Sequence, residues 1–154
     1  MSRLQGVADT LYIPLTARIQ VSKRFPDFFY DETALALEKE LPDYVFQGNI
    51  AENAMDYSYF QCTTPALKSK GLKLAVVFVH RTFRLEVWLS GCNRAQQRRW
   101  HEQLRHTPFE PAKDPARQDY ILRAPLPPDI DLSDGDRLVQ TLRHTLEAVA
   151  NTIP

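Results

Sequence analysis

The chain has 154 residues, 44% of them hydrophobic and 25% charged, and its basic and acidic side chains, 19 of each, cancel to a net charge of zero. That length suits one domain with a real core and excludes two of ordinary size, while the charge balance argues against a dedicated nucleic-acid binder, whose affinity rests on many phosphate-neutralising Lys and Arg. No apolar run approaches the roughly 20 residues that cross a bilayer, and the opening MSRLQGVADT lacks the pattern of a signal peptide, so a cytoplasmic protein with free Cys62 and Cys92 thiols is expected.

Along the chain, Val7, Leu11, Leu15 and Ile19 recur every four residues, which predicts an amphipathic helix over 6–24 that Pro14 interrupts or starts. FPDFFYDE is an aromatic loop, followed by Asp31 as N-cap of a short helix that ends at Glu40, before Pro42. In NAMDYSYFQC, Met55, Tyr57 and Tyr59 alternate with Asp56, Ser58 and Phe60, a strand signal. TTPALKSKG is a capped helical turn or a loop. LKLAVVFVH and FRLEVWLSG form two further strands in an antiparallel hairpin around Arg81-Thr82. The first, apolar on both faces, belongs in the middle of a sheet. The second sets Phe83, Leu85, Val87 and Leu89 on one face and Arg84, Glu86 and Trp88 on the other. Asn93 caps a helix that runs to about His106, TPFEPAKDPARQ is a proline-rich connection, and DYILRAPL is a short strand. The last segment, 132–153, is an amphipathic helix with Leu138, Leu142, Thr145 or Leu146, and Val149 toward the core.

These elements define an α+β fold: an antiparallel sheet of about four strands packed with N-terminal, middle and C-terminal helices. A helical arm over 1–42 precedes an α+β domain over 43–154, the two forming one compact unit.

The segments LPDY at 41–44, MDYSYF at 55–60, LKLAVVF at 72–78 and, most specifically, FRLEVWLSGCNRAQQ at 83–97 carry a resemblance. From about Glu38 onward the chain is similar to a family of uncharacterised bacterial single-domain proteins. That resemblance supports the fold and implies no activity. TLYIPLTAR, SKR, PD, FYDE and AL, in that order within 10–42, instead resemble the opening arm of leucine carboxyl methyltransferase-like enzymes. There the arm covers the S-adenosylmethionine site, and the residues matching its basic segment are Arg18, Lys23 and Arg24. A glycine-rich loop should follow, because backbone must approach the cofactor closely. The five glycines here, at 6, 48, 71, 91 and 135, form no G-x-G. The expectation is an arm without its pocket, and therefore neither a complete methyltransferase nor a bound cofactor.

Two patterns mark candidate sites. A strand ends at Gly91 and a helix starts at Asn93, and helix N-termini favour anions. Arg94 stands in that first turn and Arg98 one turn later, cations where the helix dipole disfavours them. The second pattern is the polar strand face, Arg84 as an anion clamp with Trp88 as a stacking wall beside Glu86. Asp56 and Glu86 form an acidic pair of the kind that binds metal in nucleases, although a lysine is wanted two residues after the Glu and Trp88 stands there. His101 and His106 miss the i, i+4 spacing of a helical zinc pair, so no metal site is expected. Ser58 and Ser90 lack a nucleophile elbow.

The leading expectation is a small binding or interaction domain rather than an enzyme, taking an anionic or aromatic small ligand near Arg84, Glu86, Trp88, Asn93, Arg94 and Arg98. The alternatives are a metal-dependent nuclease or phosphodiesterase using Asp56 and Glu86, and an accessory domain of a methyltransferase. A homodimer would form through the aromatic arm of Phe25, Phe28, Phe29 and Tyr30; no membrane partner is expected.

Overall fold

The computed structural model describes residues 19, 22–24, 26–27, 30–53 and 56–154. The periodic stretch before residue 19, and Phe25, Phe28 and Phe29 of the aromatic arm, lie outside the described residues, as does Met55. Of that arm Tyr30 is described, and it is exposed. No helix among the described residues is long and apolar enough to cross a membrane.

Within the arm, Ser22 and Lys23 of the helical residues 22–24 are tied to α1 (Glu32–Glu40). Ser22 Oγ accepts from Asp31 N at 2.8 Å, and Lys23 pairs with Glu38 at 2.6 Å. Asp31 caps α1 as its sequence position predicts, Oδ1 accepting from Ala34 N at 3.0 Å. There follow β1 (Val45–Asn53), β2 (Tyr57–Thr63), the short α2 (Pro65–Ser69), β3 (Leu72–Val79) and β4 (Arg84–Gly91). The chain ends with α3 (Arg94–Gln103), β5 (Glu110–Pro111), β6 (Leu122–Pro125) and α4 (Gly135–Ala150). Pro65 at the start of α2 and Thr64 as its cap explain why TTPALKSKG is a helical turn. Asp134 caps α4, its side chain accepting from Arg137 N.

The sheet has six strands in the order β1-β2-β3-β4-β6-β5, each neighbouring pair antiparallel. The α+β class stands, with two strands more than the four expected from sequence. β1 escapes sequence reading because VFQGNIAEN carries Gly, Asn and Glu, residues depleted in strands, and β5 is two residues long. β3 is central, as its apolar run predicts, between β2 and β4.

Strand parity divides the side chains into two layers. Cys62, Leu74, Val76, Phe78, Leu85, Val87, Leu89, Leu122 and Ala124 share one face. They form one core with Leu37 and Leu41, Leu67, Trp100 and Leu104, and with Leu138, Leu142, Leu146 and Val149 of α4. α1 lies in this same core, continuous with the domain that follows it. The opposite face carries a smaller cluster of Ala75, Val77, Trp88, Ala112 and Tyr120, with Tyr57, Tyr59 and Val79 packed beside it.

The β3–β4 hairpin forms as expected, but its loop spans 80–83, with Val79 opposite Arg84. Phe83 therefore leaves the buried row: it takes φ 53, is 63% exposed, and packs its ring edge-on to Phe78 at 4.9 Å. A left-handed residue other than Gly costs roughly 1 kcal/mol, which that ring contact helps to offset. The predicted helix after Asn93 also ends earlier than His106, at Gln103 with Leu104 as C-cap.

Candidate functional site

A cleft of about 430 Å³ opens on the second face of the sheet, within the range of small-molecule sites. Its geometry follows from register. On β3, Lys73, Ala75 and Val77 stand in a row opposite Ser90, Trp88 and Glu86 of β4. Gln61 and Tyr59 of β2 flank Ala75 and Val77 from the other side. Small side chains on the central strand between larger ones on its neighbours make a trough, with Ala75 and Val77 as its floor. Tyr57 and Trp88 meet across it, ring centroids 4.9 Å apart at 61°, and Tyr59 lies 5.9 Å from Tyr57. Trp88 also contacts Tyr120 at 4.8 Å. Edge-on and tilted pairs of this kind add to the packing over Ala75, Val77 and Ala112.

The 112–120 segment crosses this face, fastened by residues that line the cleft. Asp119 accepts from the Tyr57 hydroxyl at 2.8 Å and from Arg94 Nη2 at 3.0 Å. Arg94 Nη1 donates to Gln118 O at 2.7 Å and Ser90 Oγ to Asp119 O at 2.6 Å. Gln97, almost wholly buried, donates through Nε2 to Gln118 O and Tyr120 O, and its Oε1 accepts from Gly91 N. The guanidinium of Arg94 is thus neutralised by Asp119 within the wall. Lys73, half-buried, makes no hydrogen bond or ion pair among the described residues, which leaves its ammonium as the cation of the lining available to a ligand.

Gly91 fixes the end of the cleft. A Cβ there would lie 2.6 Å from Gln97 N and 3.0 Å from Gln97 Cα. Its absence lets α3 start directly against the strand end. Asn93 caps α3 as its sequence context predicts, Oδ1 accepting from Gln96 N at 2.9 Å. Lys73, opposite Ser90, stands at this same end, as does the exposed thiol of Cys92. The positive end of the α3 dipole therefore adds to the lysine charge.

Of the residues singled out in the sequence, Trp88, Asn93 and Arg94 line the cleft. Glu86 shares the face but is buried, its Oε2 accepting from Trp88 Nε1 at 2.7 Å and its Oε1 3.8 Å from Arg123. Arg123 also donates to Glu110 Oε1 at 2.7 Å. Arg84 is exposed at the hairpin end of β4, and Arg98 is exposed on α3; neither lines the cleft. Asp56 is an exposed turn residue before β2, its carbonyl accepting from His80 N. By register it stands two strands away from Glu86 and three residues along, roughly 14 Å at ordinary strand spacing. No group of three His, Cys, Asp or Glu that could hold a metal ion occurs among the described residues.

Gln61, Lys73, Ser90 and Asp119 also line the cleft, and no local motif marks them as a site. The one available signal was Lys73, a lone charge inside the apolar run LKLAVVFV. On the opposite face Ser58 Oγ and His80 Nε2 are 2.8 Å apart, with Ser58 buried; they do not line the cleft.

A six-stranded antiparallel sheet, helices on one face and a polar-rimmed aromatic cleft on the other, defines an α+β domain with an open cleft on one surface. The chain belongs to the family described as a domain of unknown function (DUF7000), whose model matches residues 28–154. No curated protein and no solved structure matches the chain.

Proposed function

We propose that the chain is a small-molecule binding domain whose ligand lies in the cleft over Ala75 and Val77. A planar group would pack against Tyr59 and the Tyr57–Trp88 pair, and a negatively charged group would face Lys73. The observation that carries this reading is Lys73 itself: its stem lies half-buried in an aromatic cleft and its ammonium has no acidic partner among the described residues. An ammonium at the wall of a cleft, with no carboxylate beside it among the described residues, is free to pair with a bound anion. The polar rim of Gln61 and Asn93 adds side-chain amides that can orient a ligand.

The separation of Asp56 from Glu86, and the hydrogen bond that commits Glu86 to Trp88, give a metal-dependent nuclease reading no comparable support.

A thermal-shift screen of the full chain against planar aromatic acids tests the proposal. Saturable stabilisation is expected, lost in Tyr59→Ala and Lys73→Ala and kept in Arg98→Ala, which lies outside the cleft. A panel without stabilisation, or stabilisation unaffected by both cleft substitutions, would overturn it.

A further inference from the structure

The cleft also constrains the charge of what it holds, an inference that rests on the binding reading above. We infer that the ligand is a monoanion, an aromatic carboxylate, rather than a phosphate ester or a neutral ring. Among the described residues three charged side chains line the cleft: Lys73, Arg94 and Asp119. Arg94 and Asp119 cancel, their charges joined at 3.0 Å. What remains among the described residues is one positive charge on Lys73, reinforced by the partial charge of the α3 start.

A carboxylate matches that charge with one unit of its own. A phosphate monoester brings about −1.5 to −2 near neutral pH. Its second charge would have no partner on Lys73 and would face the half-exposed Asp119 carboxylate in the same cleft. Releasing Arg94 to meet it would break the bonds to Asp119 and Gln118 that fasten the 112–120 segment. A neutral ring would leave Lys73 without an ion-pair partner among the described residues.

The spacing agrees. Lys73 and Ala75 are alternate residues on the same face of β3, about 6.6 Å apart along an extended strand. A ring over Ala75 with its carboxylate one methylene away spans that interval toward a flexible lysine. The Gln61 amide, opposite Ala75 and without a hydrogen-bond partner among the described residues, is placed to donate to the second carboxylate oxygen or to a ring acceptor.

Calorimetric titration of the full chain with three probes sharing one ring tests the inference: indole-3-acetate, its neutral isostere indole-3-acetamide, and indoxyl phosphate. Indole-3-acetate is expected to bind about tenfold tighter, or more, than either of the others. Lys73→Met should erase its advantage over the amide, and Lys73→Arg should keep it. Thermal melting of both variants confirms that they are folded, so that a lost preference is read as lost recognition. Equal or tighter binding of the phosphate overturns the monoanion assignment while leaving the binding reading intact. Equal binding of the amide removes the role of Lys73. Failure of all three probes to bind the wild-type chain overturns the inference together with the binding reading on which it rests.

Discussion

Trp88 Nε1 donates to Glu86 Oε2 at 2.7 Å, joining two buried residues on one face of β4. The bond explains how a carboxylate can lie under an aromatic cluster. One oxygen is satisfied by the indole, and the other faces Arg123 at 3.8 Å. It also orients the Trp88 ring that forms the cleft wall.

Removing Arg123 should therefore destabilise the fold through Glu86. The Glu86 side chain is 8% exposed and that of Arg123 34%. The loss belongs between the near-zero value of a surface pair and the 3–5 kcal/mol of a buried one, about 2 kcal/mol for Arg123→Ala. Glu86→Gln keeps an acceptor for Trp88 without the charge. The double variant should then be more stable than Arg123→Ala alone in urea denaturation; strictly additive losses would contradict the account.

Gly91→Ala places a methyl group against the backbone of Gln97, where no flexible side chain can give way. Overpacking of this kind costs roughly 1–3 kcal/mol. Because Gln97 also holds Gln118 and Tyr120, the shift should spread to the 112–120 segment. Hydrogen exchange is expected to accelerate at Cys92 to Gln97 and at Tyr120; unchanged exchange there, with normal stability, would contradict the close-approach argument.

The contrast between Gly91 and Lys73 shows what the sequence discloses. Gly91, Asn93 and the helix that follows are local features: a strand end, a cap and a periodic pattern lie within a few residues, and all were legible. Trp88 was legible as a strand residue but its burial was not, because its neighbours Tyr57 and Tyr120 lie on distant segments. Lys73, Gln61 and Asp119 enter the cleft only through the register of β2, β3 and β4 and the crossing of the 112–120 segment. No local spacing encodes that. Arg84 and Arg98 drew notice as charges at suggestive positions, and geometry leaves both outside. Phe83 fitted the period of its strand, but the hairpin loop claimed it.

The hydrogen bond from Arg123 holds the Glu110 carboxyl below its usual range. A folded-state pKa below the unfolded one, about 4.3 for Glu, means that the stabilisation is present above the unfolded value. It is lost as pH falls through the lower folded value. Glu102 and Asp131, also lowered by their hydrogen-bond partners, act in the same direction. Urea midpoints should fall from about pH 5 to pH 3, and Glu110→Gln should make that fall shallower. An unchanged slope in this variant would show that the Arg123 pair contributes no acid-linked stability.

The two thiols should separate in reactivity. Burial pushes Cys62 up to about 12, whereas Cys92 is exposed at the cleft rim. A thiol-specific disulfide reagent at mildly alkaline pH should modify Cys92 promptly and Cys62 only after unfolding. Cys92→Ser should abolish the fast phase; a fast phase that survives this substitution would place Cys62 within reach of solvent.

The central claim, that the trough over Ala75 on the second sheet face is a binding cleft, is most directly tested by mapping amide chemical-shift changes during titration with indole-3-acetate. The predicted changes cluster on Tyr57 to Gln61, Lys73 to Val77 and Trp88 to Arg94, and in Lys73→Met they require about tenfold more ligand to reach saturation. Changes centred instead on the groove between β6 and α4, around Phe109 and His144, or no saturable change at all, would contradict it.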